Sequence, residues 1–180
     1  MKKILLLAVF SLIFSLSGAE KKNALVLYYS WSDALNTKRL AECIAKEHGA
    51  VIERLVPEKP YSRKYNEVLK ESRAELKENK VRPVKALKND LKNFDVIFIG
   101  SPIWFGTYAP PVRSFMQQHD FSGKKLYFFC THGKGGPGVF FKDMAKLTPK
   151  AVIGKGFSCY GTHTAKIAPK VKEWLKKDVK

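Results

Sequence analysis

"DVIFIGSPIWFGTYAPPVRSFM" (residues 95–116) holds three patterns in succession. From Val96 to Ile99 every residue is apolar, which a strand of this length shows when both of its faces are covered. A loop rich in aromatic residues follows, punctuated by Pro102, Gly106 and Pro110. "PVRSFMQQ" then opens on proline, a residue favoured in the first turn of a helix. A doubly covered strand, a long loop and a helix are parts of a strand–helix–strand unit, and such units build parallel sheets.

The same alternation runs through the rest of the chain. Further strands are expected at "ALVLYYS" (24–30), "AVIERLV" (50–56), "KLYFFCT" (125–131) and "AVIGKGFSCY" (151–160). Between them lie amphipathic stretches. In "TKRLAECIAKEHG" Leu40 and Ile44, like Ala41 and Ala45, are four residues apart on one face, and Gly49 supplies a stop. "SRKYNEVLKESRAELKENK" sets Tyr65, Val68, Leu69 and Leu76 on a helical stripe before Pro83. "FFKDMAKL" makes a short helix, and in "TAKIAPKVKEWLKK" Pro169 should kink or restart the last one. The expected fold is therefore α/β: one open, doubly wound, parallel five-stranded sheet with helices on both faces and right-handed crossovers.

Composition bounds the function. Lys2, Lys3, the apolar "ILLLAVFSLIFSL" and the small residues of "SGA" form an export signal, residues 1–19, with cleavage expected after Ala19. The apolar stretch is short for a span of about 20 residues, so no stable membrane anchor is expected after cleavage. The remaining chain, residues 20–180, has the length of one domain. The formal net charge of +17 becomes +15 without the two lysines of the signal, which points to acidic partners. The lysines are spread along the chain and no nucleic-acid motif accompanies them, so no nucleic-acid partner is expected. Three cysteines, Cys43, Cys130 and Cys159, cannot all pair within one chain; Cys130 and Cys159 are the one candidate pair.

In sheets of this kind ligands bind outside the carboxyl ends of the strands. Three loops leave such ends: "SWSDALNT", "SPIWFGTYAPP" and "THGKGGPG". The pieces "LYYSWS", "NTKRLAECIA", "YSRKYNEVLKESRAEL", "FDVIFIGSPIWFGTYAPPVRSFM" and "LYFFCTHGKGGPG", in this order, resemble the flavodoxin-like proteins, most closely the short bacterial flavodoxins. The resemblance covers residues 22–178. It implies a five-stranded sheet in the order 2-1-3-4-5, non-covalent FMN, and electron transfer or the reduction of small acceptors.

Residue by residue, the resemblance implies a phosphate turn at Ser30, Ser32, Asn36 and Thr37, where hydroxyls, an amide and backbone N–H groups meet at a helix N-terminus. Family members carry glycine before that Asn-Thr pair; here "DAL" (33–35) replaces it and lengthens the turn by two residues. Asp33 should repel a phosphate unless residues 33–35 bulge outward, and the turn could instead be a helix cap formed by Asn36 or Ser32. In "GSPIWFGT", Pro102, Ile103 and Gly106 supply backbone beside a flavin ring, with Trp104 first and Phe105 second as the aromatic laid against it. Thr131, His132, Gly133 and Gly136 belong to a loop whose N–H groups suit negative charge on the ring, His132 being read as a loop hydrogen-bonder. No catalytic side chain and no metal ligand is expected.

Three functions follow from these residues: an exported FMN-binding electron carrier that docks on an acidic redox partner, an FMN-dependent NAD(P)H or quinone oxidoreductase acting on a small-molecule acceptor, or a flavin-free binding protein on the same fold. The altered phosphate turn supports the last, as does a lysine pair in place of the twin arginines of folded export.

Overall fold

The buried residues of neighbouring strands alternate strictly between two helical layers. In a computed structural model describing residues 23–179, Leu25, Leu27, Ile97, Ile99, Leu126 and Phe128 face one layer, while Val26, Val96, Phe98, Tyr127 and Phe129 face the other. They lie on β1 (Ala24–Tyr28), β3 (Val96–Pro102) and β4 (Lys125–His132), which form the centre of the sheet. β2 (Val51–Arg54) pairs with β1, and β5 (Val152–Ile153) and β6 (Phe157–Tyr160) both pair with β4. Every pairing is parallel and the order is β2-β1-β3-β4-β5, as expected.

Helices α1 (Asn36–His48) and α5 (Ala168–Asp178) cover the side of Val26, Phe98 and Tyr127 through Leu40, Ala41, Ile44, Val171 and Trp174. The side of Leu25, Ile97 and Phe128 is covered by α2 (Tyr65–Lys77), α3 (Pro110–Gln118) and α4 (Phe140–Lys146). Gly49 ends α1 in the left-handed conformation. Pro169 restarts the last helix: residues 161–166 form a 3-10 helix, and Pro169 lies in the first turn of α5. No helix of the described residues is long and apolar enough to cross a membrane. The expected export signal, residues 1–19, lies outside the described residues.

Two expectations need correction. The strand expected at 151–160 is two strands, and the glycines between them, Gly154 and Gly156, sit where the rings of Tyr127 and Phe141 would collide with any Cβ. The stripe on α2 is also wrong in part. Tyr65 is exposed and Leu76 only half-buried; the helix buries Val68, Ser72 and Glu75. All three thiols are free. Thr131 is level with Cys159, and Cys130 with Ser158, so Cys130 and Cys159 point to opposite sides of the sheet. Burial pushes the Cys130 thiol up to about 12.

Gly100 in β3 is paired with Phe129 in β4, and the Phe129 ring occupies the space a Cβ on Gly100 would need. Gly100→Ala should therefore destabilise the fold by about 1–3 kcal/mol, read as a lower midpoint of urea unfolding with an unchanged slope.

Candidate functional site

Because the sheet is parallel, all the strands deliver their following loops to one edge. Four of those loops enclose a cleft of about 250 Å3. Ser30, Ser32, Asn36 and Thr37 line it from the first loop, Pro102, Ile103 and Trp104 from the second, and Thr131, His132 and Gly133 from the third. Of the expected site residues, Phe105, Gly106 and Gly136 are not part of its wall.

In the first loop Leu35 N–H donates to the Ser32 carbonyl (3.0 Å), and Arg39 N–H donates to Leu35 O (2.9 Å) to begin α1. Leu35, the residue before Asn36, has φ 51°. It thus holds the left-handed conformation natural to glycine, at a cost of about 1–2 kcal/mol for an L-residue. Asp33 faces away from the cleft: its carboxylate is fully exposed, 3.2 Å from Arg63 Nη1. Arg63 also donates to Trp31 O (3.1 Å), and the Trp31 indole N–H donates to Ser62 O (3.2 Å). The two extra residues are carried outward. Neither Ser32 nor Asn36 caps α1, so its first-turn N–H groups stay available at the cleft.

The second loop is a two-residue hairpin. Trp104 and Thr107 exchange both backbone hydrogen bonds (2.9 and 3.0 Å) around Phe105 and Gly106, whose φ values of 51° and 81° are those of a type I′ turn. Trp104 points inward. Its ring meets Tyr29, Trp31 and Tyr61 edge to face, with centroids 5.8, 6.3 and 5.3 Å away. Phe105 points outward, 43 % exposed, with the Arg73 guanidinium 4.8 Å from its ring centroid. Between the two aromatics, Trp104 is the one that borders the cleft.

The third loop is clasped to the second. Val139 N–H donates to Gly106 O (2.8 Å), Thr107 Oγ1 donates to Asp143 Oδ2 (2.9 Å), and a Cβ on Gly138 would strike the Gly106 carbonyl. Around Gly133, Gly135 and Gly136 there is open space instead. His132 Nδ1–H donates to Gly133 O (2.9 Å), which fits its reading as a loop hydrogen-bonder.

Sequence reasoning missed Trp31 and the fourth loop, where Tyr160, Gly161 and Thr162 complete the wall. Their signal was "YGTHT", at the carboxyl end of the last strand. A Cβ on Gly161 would lie 2.7 Å from Asn36 Nδ2, so any larger residue there would shift the Asn36 amide. The Thr37 and Thr131 hydroxyls are hydrogen-bonded to one another at 2.8 Å, tying the first loop to the third.

Behind Trp104 lies a buried ionic cluster. Tyr61 O–H donates to Glu75, Arg82 Nε–H donates to Glu75 Oε1 (2.7 Å), and Arg82 also pairs with Glu71. The Arg82 guanidinium covers the Tyr61 ring at 3.8 Å. Burial, then the Glu75 carboxylate, holds the Tyr61 hydroxyl well above the usual phenol range, and burial does the same to Tyr29. A second cleft, of about 400 Å3, opens on α2 beyond Trp104 and is lined by Val68, Leu69 and Phe105. Among the described residues no cluster of His, Cys, Asp or Glu is placed to hold a metal ion.

An uncapped helix N-terminus ringed by hydroxyls suits an anionic group, and an indole at the cleft wall suits a flat ring. A sequence model of a family described as Flavodoxin matches residues 23–178. The chain belongs to the flavodoxin family. A search of curated proteins gives no match for it. Solved structures similar to this flavodoxin-family chain include two proteins assigned as flavoproteins. One, from Bacteroides uniformis, is 25 % identical over 87 % of this chain and 99 % of its own, with TM-score 0.76. The other, from Bacteroides eggerthii, is 24 % identical over 86 % and 96 %, with TM-score 0.75. A flavoprotein from Lactobacillus acidophilus, solved in complex with FMN, is 22 % identical over 81 % and 97 %, with TM-score 0.65.

Leu35 in the place of the family's glycine gives a direct test. Leu35→Ile should destabilise the protein by about 1–2 kcal/mol, because a β-branched residue tolerates positive φ poorly. Leu35→Gly, which adopts it freely, should leave the thermal midpoint within a few degrees of the parent.

Proposed function

We propose that this flavodoxin-family protein is an exported electron carrier that binds FMN non-covalently in the cleft and docks on an acidic redox partner. The observation that carries the reading is the first loop: Leu35, where the resemblance places a glycine, holds the left-handed conformation that glycine adopts freely, and Asp33 is turned out to Arg63. The feature that argued against a phosphate is therefore removed from its place, and the residues present fit the group. The export part rests on the sequence of residues 1–19, and gives a periplasmic location for the cleaved protein.

In this reading the first-turn N–H groups of α1, with the hydroxyls of Ser30, Ser32 and Thr37, hold the phosphate without any basic side chain. Asn36 and Thr37 keep that turn fixed to the fourth and third loops. Trp104 offers its ring to the flat face of the cofactor, held from behind by Tyr29 and Tyr61. Backbone at Pro102, Ile103, Thr131 and Gly133 borders the same space, and the open Gly133–Gly136 turn presents N–H groups to negative charge. FMN, when bound, supplies the redox chemistry; the chain sets its orientation and potential.

Desalting after incubation with FMN should leave yellow protein with quenched flavin fluorescence. Trp104→Ala should weaken binding by about tenfold or more, the equivalent of about 1.4 kcal/mol, while Phe105→Ala leaves it near the parent value. Complete loss of flavin from the parent protein on desalting would favour a flavin-free binding role. Steady turnover with NAD(P)H and a quinone would instead mark an oxidoreductase.

The charge excess makes a second prediction. A strongly cationic chain favours added negative charge on whatever it binds, so the flavin's midpoint potential should exceed that of acidic flavodoxins. Salt screens such a field over about 10 Å at 0.1 M. The potential should therefore fall as ionic strength rises, and a potential independent of salt would refute this account.

A further inference from the structure

Helix α2 is held to the core by few apolar contacts, and its outward side carries an unusual set of residues. Lys70, Arg73 and Lys77 are spaced by three and four, in one line along the helix, and all are exposed. The carboxylates nearby are already engaged: Glu67 with Lys64 (3.2 Å), Glu71 and Glu75 with the buried Arg82, and Glu78 with Lys80 (2.6 Å). No ion pair to Lys70, Arg73 or Lys77 is found among the described residues. Three uncompensated cations thus stand in a row.

The row leads to the tip of the Trp104–Thr107 hairpin. Arg73 lies over the Phe105 ring, and Phe105 is held outward at a positive φ that bulky residues seldom adopt. Tyr65, 64 % exposed, lies at the start of the same helix. Leu69 is common to two grooves. One is the apolar cleft whose far wall is Trp104; the other is shallow and lies along Lys70, Arg73 and Lys77. Exposed aromatic rings, an arginine and an apolar groove ringed by cations are the composition of a protein interface core and its rim.

We propose that the outward side of α2 and the Phe105 tip form the docking surface for an acidic protein partner. Its carboxylates engage Lys70, Arg73 and Lys77, and an apolar side chain enters the groove beside Leu69 and Phe105. Discrete carboxylates suit this surface better than a continuous polyanion does. The row is short and borders the apolar groove at Leu69 and the exposed Phe105 ring, which a protein's side chains can fill and a phosphate backbone or headgroup layer cannot. The partner's role as a redox protein rests on the function proposed above; its binding does not, because Lys70, Arg73, Lys77 and Phe105 are not among the residues assigned to the cofactor, though Ser32 and Trp104 line both clefts.

The test is an NMR titration of the protein, without flavin, with a synthetic Glu-rich 12-residue peptide carrying one Phe. Shifts should concentrate in residues 65–78 and 103–107, and affinity should fall with added salt. K70E/R73E/K77E should weaken binding about tenfold or more. K170E/K176E/K177E, with the same charge change on α5, should weaken it no more than about twofold. Phe105→Ala should remove the shifts at the hairpin with the helix shifts retained. Equal loss in both triple variants, shifts scattered over the basic surface, or tighter binding of phosphatidylglycerol vesicles or a DNA 12-mer through the same residues would overturn the proposal. Unchanged thermal midpoints of both triple variants show that the comparison is between folded proteins. Since flavin is absent from the titration, failure of FMN binding and failure of this surface are read separately.

Discussion

Everything at the functional edge depends on a parallel sheet buried on both sides. β1, β3 and β4 can be apolar at successive positions because every second residue packs under α2, α3 and α4 and the residues between them pack under α1 and α5. The central strands in this state have no free face to offer a ligand, and their backbone groups are spent on neighbouring strands. The carboxyl ends remain. There the backbone must leave the sheet, and the loops that do so are free to carry polar groups, glycines and aromatics without disturbing the core.

Much of this was legible because it rests on periodicity. The near-continuous apolar runs of β1, β3 and β4 can be satisfied only by cover on two sides, and Gly49 and Pro169 have one sensible place each. Other parts were illegible for definite reasons. A stripe read from apolar spacing credits Tyr65 and Leu76, but α2 turns Ser72 and Glu75 inward, since Glu75 is neutralised there by Arg82 and receives the Tyr61 hydroxyl. Arg82 follows the end of α2 and reaches back to Glu75, a pairing that helical spacing does not announce. The sequence puts Trp104 ahead of Phe105 without a geometric reason; the I′ hairpin supplies one by sending Trp104 in and Phe105 out. Leu35 is the clearest case, because nothing in a leucine announces a left-handed backbone.

The buried ionic cluster gives α2 a second role. Removing one member would leave a charge without its partner in a place that water does not reach, which is far costlier than losing an exposed pair such as Asp33 with Arg63. The same cluster supports the ring of Tyr61, and Tyr61 supports Trp104. The cleft wall is thus held in place by electrostatics some distance behind it.

The contact between Gly106 and Gly138 has a consequence for how such a protein can change. With the Val139 N–H bonded to the Gly106 carbonyl and no room for a side chain at position 138, the second and third loops are a single mechanical part encoded in two places. Neither can be exchanged for a relative's version alone, nor lengthened alone, without prising the other from its seat. Grafting or evolution that alters this rim must move both segments together, whereas Asp33 and Ala34 of the first loop, which hang outward, are free to drift by themselves.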